Sequence, residues 1–285
     1  MKKVRIVADS TCDLSREIIE KYDISIVPLC ILLGEKSYYD GLDITPDEIY
    51  AWSDENKVTP KTAAISFDKT LEVFKPFMEN GDDIIFFGIS EQMSSTCNVA
   101  RLVAEQEEYD RVFVIDSKNL STGIGLQVIR AAILAESGMG AEEIVEQIEA
   151  ARDLVRASFV VDTLTFLARG GRCTAITALM ANTLKLHPQI LVKDGKMGVG
   201  KKFRGKTAVA IDSYVEDLLP AIRANADTER VFITHSGCTD EVIAAVKAKL
   251  EAEGLFKEIL ITRAGGVISS HCGPSTLGVL FYEKG

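Results

Sequence analysis

Through the first half of the chain, short apolar runs alternate with segments of helical periodicity. Residues 4–8 read as a strand and 15–22 as a helix. Residues 24–33 read as the next strand, with Pro28 marking an edge or a bulge. Thr45-Pro46-Asp47-Glu48 opens a helix: Thr as N-cap, Pro at the first helical position, Glu completing a capping box. Ser66 caps a further helix to residue 78. Residues 83–89 form a buried strand, 95–109 a helix, 111–116 a strand and 123–137 a helix. Strands separated by helices at this spacing pair in parallel through right-handed crossovers, so this part of the chain is an α/β domain.

A helix from 141 to about 155 closes that unit. At roughly 100–200 residues per domain, 285 residues suggest two domains, and the boundary is placed at 156/157. Residues 1–156 form an α/β/α domain and 157–285 a second α/β domain. In the second, a strand at 158–161 is followed by strands at 189–192 and 196–200. These flank Asp194-Gly195, a dipeptide that favours a two-residue hairpin, so this sheet is mixed or antiparallel. Helices at 207–224 and 240–253, with strands at 230–234, 258–262 and 277–281, complete it.

Forty-two acidic against 32 basic residues give a net charge of −10. The distribution is uneven. Residues 168–206 hold Arg169, Arg172, Lys185, Lys193, Lys196, Lys201, Lys202, Arg204 and Lys206, with Asp194 as the single acid. A local basic surface on an acidic protein suits an acidic partner or a phosphate, and not general nucleic-acid binding. The plain alternative is a solvated face. Six scattered cysteines, with no C-x-x-C pair and no apolar leader after Lys2 and Lys3, read as reduced thiols of a cytoplasmic protein. The longest uncharged stretch, 264–282, is broken by Gly, Ser, His and Pro and does not read as a membrane span; membrane contact is at most transient.

Open α/β sheets bind ligands beyond the carboxyl ends of their strands. Those ends carry Asp9-Ser10-Thr11-Cys12, Ser90 through Thr96, and Asp116-Ser117-Lys118 followed by Ser121-Thr122-Gly123. Hydroxyls beside helix N-termini suit a small anion. Almost no cations and no G-x-x-x-x-G-K-[ST] pattern make a single carboxylate a better fit than a polyphosphate. Equally, each hydroxyl can simply cap its own helix. Metal-ligand spacing and a G-x-S-x-G elbow are both missing, so neither a metal site nor catalytic residues are assigned. Cys97 reads either as a thiol activated at a helix start or as a packed residue. Near the C-terminus, two glycine turns bracket a short apolar strand that carries His271.

Taken in order, these motifs resemble the DegV family of bacterial fatty-acid-binding proteins. Asp9-Ser10-Thr11-Cys12-Asp13-Leu14 is similar to that family's D-S-T-x-D-L, Thr59-Pro60-Lys61-Thr62 to its P-x-T segment, and Ser90 through Thr96 to its S-S-x-L-S-G-T loop. Asp116-Ser117-Lys118 with Gly123, Asp162-Thr163-Leu164 with Gly170-Gly171-Arg172, Leu184-Lys185 with Pro188, Asp194-Gly195-Lys196 and His271-Cys272-Gly273-Pro274 follow the family pattern as well. This chain has Ala63-Ala64-Ile65 where the family has Ser-Gln-Pro, and Glu91-Gln92 where it has a small pair.

The resemblance implies two α/β domains with a long acyl chain in a tunnel between them. It implies a carboxylate held by Thr62, Ser94 and His271, with Ser95 adjacent, and no cofactor beyond the bound fatty acid. It also implies a carrier without turnover of its own, which presents the carboxylate to a fatty-acid kinase through Arg172 and Arg204. An acyl chain of about sixteen carbons, at ~0.8 kcal/mol per buried CH₂, offers on the order of 10 kcal/mol before ordering costs. The competing reading, from the residues alone, is a small-molecule transferase or hydrolase that uses His271 with a loop Ser or Cys.

Overall fold

The computed structural model describes residues 3–173 and 186–285; Lys2, Lys185 and the Leu184-Lys185 pair lie outside them. The first half runs β1 (Val4–Asp9), α1 (Arg16–Lys21), β2 (Ser25–Val27), β3 (Cys30–Leu33), β4 (Lys36–Tyr39), α2 (Pro46–Asn56), β5 (Lys61–Ala63), α3 (Phe67–Glu79), β6 (Asp83–Gly88), α4 (Thr96–Gln106), β7 (Val112–Asp116), α5 (Thr122–Glu136) and α6 (Ala141–Ala151). The second half runs β8 (Val155–Val160), α7 (Thr165–Gly170), β9 (Leu186–Lys193), β10 (Lys196–Arg204), α8 (Thr207–Asn225), β11 (Ala226–His235), α9 (Asp240–Ala252), β12 (Glu258–Arg263), α10 (Gly266–Cys272) and β13 (Leu277–Glu283).

The first-half sheet is parallel throughout, in the order β2-β1-β6-β7. Its central strands are apolar on both sides because both faces are covered. Along β6, Ile85 and Phe87 pack with α5 and α6, while Ile84 and Phe86 pack with Phe74 of α3 and with Ala100 and Val103 of α4. In the second half, β10-β9-β8-β13-β11-β12 form a mixed sheet in which β11 and β12 are parallel and the other neighbours antiparallel. One face of it buries Val231, Ile233 and Val279 under α8 and α9. The other turns Phe159, Phe232 and Leu280 towards α5.

Helix α5 therefore sits between the two sheets. Its sequence, TGIGLQVIRAAILAE, is apolar nearly all round, and every residue from Thr122 to Ile129 is buried, with exposure confined to its last turn. Gly125 lets it approach the first loop: a Cβ there would stand 2.6 Å from Leu14 Cδ2 and 3.0 Å from the Cys12 carbonyl.

Most elements expected from the sequence are present, including the Thr45–Glu48 capping box, the Ser66 cap and the antiparallel hairpin at Asp194-Gly195. Two differ. Residues 24–33 are two strands in different sheets, because Pro28 supplies no N–H and the chain turns there; Leu29 N–H instead donates to Ser10 Oγ. β2 edges the parallel sheet, and β3 becomes the centre of a three-stranded antiparallel sheet, β4-β3-β5.

The second difference is the stretch around His271, which is the helix α10 and not a strand. Gly265 and Gly266 are its opening residues. Gly266 is required for close approach, since a Cβ there would lie 2.6 Å from Ile31 Cδ1 and 2.8 Å from Ile49 Cδ1. Among the described residues, no helix is long and apolar enough to cross a membrane.

Candidate functional site

The carboxyl ends of β1, β6 and β7 lie side by side, so the three hydroxyl-rich loops do converge. Most of their hydroxyls are already committed. Thr11 Oγ1 donates to Asp9, Ser117 Oγ to the Asn119 carbonyl, and Ser121 Oγ to Asp13. Thr122 and Thr234 share a hydrogen bond across the two halves. Ser90 Oγ reaches the tip of the β9–β10 hairpin and donates to the Gly195 carbonyl at 2.7 Å. These hydroxyls hold the loops in place.

Ser94 is different. It lines a cavity of about 40 Å³ with Thr62, Arg172 and His271, the remaining wall being largely apolar: Leu29, Ile89, Met93, Leu120, Met197, Val267 and Ile268. Each polar member comes from a different element. Thr62 is on β5, Ser94 on the loop before α4, Arg172 just after α7, and His271 on the last turn of α10. A neighbouring apolar cavity of about 20 Å³ shares Leu120, Ile268 and Cys272 with the first, so these three side chains form the partition.

His271 Nε2 lies 2.7 Å from Thr62 Oγ1. Its other nitrogen, Nδ1, is buried without a hydrogen-bond partner. A Cβ at Gly170 would overlap Nδ1, so the glycine of α7 is what admits the ring. Burial, and then the nearby Arg172 charge, push the His271 pKa down to about 4. The imidazole is therefore neutral at pH 7. Ser94 Oγ and Thr96 Oγ1 are 2.9 Å apart. Arg172 donates to the Gly170 carbonyl at 2.8 Å and more weakly to the Met93 carbonyl at 3.4 Å. It makes no ion pair among the described residues.

Ser95 and Arg204 do not line this cavity. Ser95 is exposed at the N-cap of α4 with no side-chain capping bond, and Arg204 is exposed at the far end of β10. Cys97 is fully buried and burial drives its thiol pKa upward; this is a packed residue. Cys272 at the cavity wall is pushed up to about 12 by burial. His187 is held between the Val161 and Gly205 carbonyls, and His235 lines the second cavity. A wider groove of about 400 Å³, between Arg152, Val155, Leu191 and Phe281, contains none of the expected site residues.

Sequence reasoning missed Met197, which the hairpin brings to the cavity, and the Ser90–Gly195 bond that anchors the hairpin. The Asp-Gly turn was visible, but no local pattern says where the tip of a hairpin docks.

Fold and site together define a two-domain α/β protein in which donor groups of Thr62, Ser94 and Arg172 and a neutral His271 line one small, largely apolar cavity. The chain belongs to the DegV family, described as a family of uncharacterised proteins, whose model matches residues 3–284. It is 33% identical over 286 residues to a DegV domain-containing protein of Clostridium perfringens, covering 100% of both chains. Among solved structures, it resembles a DegV family protein of Thermus thermophilus described for its fatty acid binding (TM-score 0.89, 32% identity, 99% of this chain and 100% of that one). It also resembles a stearic acid-binding protein of Eubacterium ventriosum (TM-score 0.84, 30% identity, 100% and 99%).

Proposed function

We propose that this protein binds a long-chain fatty acid, with the carboxylate received by Thr62 and Ser94 and the acyl chain running past Leu120 and Ile268 into the second cavity. The observation that carries the reading is the Thr62–His271 pair in the wall of a largely apolar cavity. With Nε2 protonated, His271 donates to Thr62 Oγ1, which leaves the Thr62 hydroxyl hydrogen free to point at the ligand carboxylate. Arg172, without a counter-ion, offsets the charge. A carboxylate buried without such donors would be costly. The fatty acids bound by the Thermus and Eubacterium relatives support the ligand class.

Two cavities of about 40 and 20 Å³ are too small for such a chain, since one water occupies roughly 30 Å³ of liquid. Entry of the ligand therefore parts Leu120, Ile268 and Cys272 and joins the two spaces, with unbranched Met93 and Met197 adapting the walls.

We read the protein as a carrier and not a catalyst. His271 is a poor base at a pKa of about 4, and its Nδ1 has no orienting carboxylate, so Thr62–His271 does not have the build of a nucleophile–base pair. Under the same reading the chain has two domains, the expected division at 156/157 moving to just before β8, whose pairings from Val155 onward all lie in the second sheet, and a fatty-acid kinase is the partner. Support for that partner is the set of basic side chains at Arg169, Lys193, Lys196, Lys202, Arg204 and Lys206, none ion-paired among the described residues. Isothermal titration of delipidated protein with palmitate tests the reading: saturable one-to-one binding is expected, and no heat together with no thermal shift overturns it.

A further inference from the structure

The helix that carries His271 is fastened at both ends to the first half of the chain. At its C-terminal end the ring meets Thr62. At its start, Gly265 N–H donates to Asp13 Oδ1 at 2.8 Å and Gly266 N–H to Asp40 Oδ1 at 2.7 Å. Both carboxylates are buried. Neither has a Lys, Arg or His within ion-pair distance among the described residues. Their second oxygens accept from Ser121 Oγ at 2.5 Å and from Ser10 Oγ at 2.9 Å. Burial raises both carboxyls above their ordinary pKa, and a serine or asparagine would satisfy the same amides without that desolvation, so two carboxyl groups are more than helix capping needs.

An independent observation lies at Ser121. Its backbone sits at φ 52°, ψ −143°, a region that side chains with a Cβ avoid. Strain of this kind persists only where surrounding contacts over-determine it, and it gathers at sites where geometry matters. Here the strained residue aims its hydroxyl at the carboxylate that holds α10.

We propose that Asp13 and Asp40 are positioning residues of the carboxylate site: they fix the first turn of α10 so that His271 Nε2 stands opposite Thr62, and Ser121 is strained in order to complete the hold on Asp13. The proposal rests on the fatty-acid reading for its consequence, but its geometry does not. From Gly266 to His271 the helix rises about 7.5 Å, so a tilt of roughly 10° at the first turn displaces the ring by about 1 Å. Along the bond, that displacement takes the 2.7 Å contact beyond hydrogen-bond reach.

The test uses the full chain with Ser121→Gly, Asp40→Ala and Asp40→Asn. Glycine relieves the Ser121 backbone angles but removes the donor to Asp13, so a merely structural role predicts a change of Tm alone, with the His271 midpoint and the palmitate affinity unchanged. Histidine-labelled protein is titrated by NMR, with His271 assigned from the spectrum of His271→Gln. Expected in Ser121→Gly and Asp40→Ala is a rise of the His271 midpoint by about one pH unit as the ring loosens towards solvent. Palmitate affinity is expected to fall about tenfold. Asp40→Asn keeps an acceptor for Gly266 and restores both. A wild-type His271 midpoint and wild-type affinity in folded Ser121→Gly overturn the proposal. Absence of palmitate binding by the wild type overturns the fatty-acid reading instead, and the NMR midpoint still decides the positioning role.

Discussion

At the scale of single residues, the account turns on a neutral imidazole and one hydroxyl. Thr62→Ala removes a donor from a buried carboxylate and is expected to weaken palmitate binding by about 1–3 kcal/mol, whereas Thr62→Ser should cost little. Titration calorimetry separates the two. His271 adds a pH signature. Its folded pKa of about 4 is below its ordinary 6.5, so the unfolded chain takes up the proton first. The stability it contributes is complete above pH 6.5 and declines as pH falls towards 4. Asp9 works in the opposite sense: burial raises it from 3.8 to about 6, so its contribution is present below 3.8 and lost as pH rises through 6. His271→Gln removes only the first effect. Its Tm relative to wild type should therefore improve steadily between pH 6.5 and 4.5, and a pH-independent difference would contradict a buried neutral ring. Family motifs pointed to Thr62, Ser94 and His271, but the bond between residues 209 apart was not legible, because nothing local encodes it. The burial of Asp13 and Asp40 was hidden for the same reason.

At the scale of elements, the β9–β10 hairpin and α10 do the positioning. The hairpin tip is pinned by Ser90, and Gly195 has φ +76° with no room for a Cβ, which would stand 2.6 Å from Ser90 Oγ. Gly195→Ala is expected to destabilise the protein by about 1–3 kcal/mol through strain and loss of the Ser90 contact. Chemical denaturation reads this as a lower midpoint at unchanged m. The hairpin itself was plain in the sequence because Asp194-Gly195 dictates its turn. Helix α10 was not. Gly265-Gly266 and Gly273-Pro274 look like turns, whereas the structure packs Gly266 closely against Ile31 and Ile49 and Gly265 against the Asp13 and Asp40 carboxylates. Pro28 reads as an edge or a bulge within one strand, whereas it is the point where the chain leaves one sheet for another. That choice is made by tertiary pairing of β3 with β4 and β5.

At the scale of the whole molecule, α5 lies between the two sheets, and the proposed acyl path crosses from one cavity to the other where Leu120, Ile268 and Cys272 meet. Enlarging that partition with Ile268→Trp should shift preference towards shorter acids, such as laurate over palmitate, in a competition assay. Arg204 lies away from the cavity, so Arg204→Ala should bind palmitate as wild type does while reducing kinase-dependent acyl-phosphate formation. Loss of palmitate binding in that variant would contradict the assignment of the basic face. The two-domain α/β plan was readable from strand–helix alternation and from the hairpin, since both are local patterns. How the halves close over a cavity depends on contacts such as Thr122–Thr234 and Gly265–Asp13, which no local pattern contains. The central claim, that the enclosure holds one fatty acid, is tested most directly by mass spectrometry of protein expressed in bacteria, native against denatured. The account predicts a native mass higher by one long-chain fatty acid, which disappears on denaturation and diminishes in Thr62→Ala. A native mass equal to that of the bare chain, unchanged after incubation with palmitate, would contradict it.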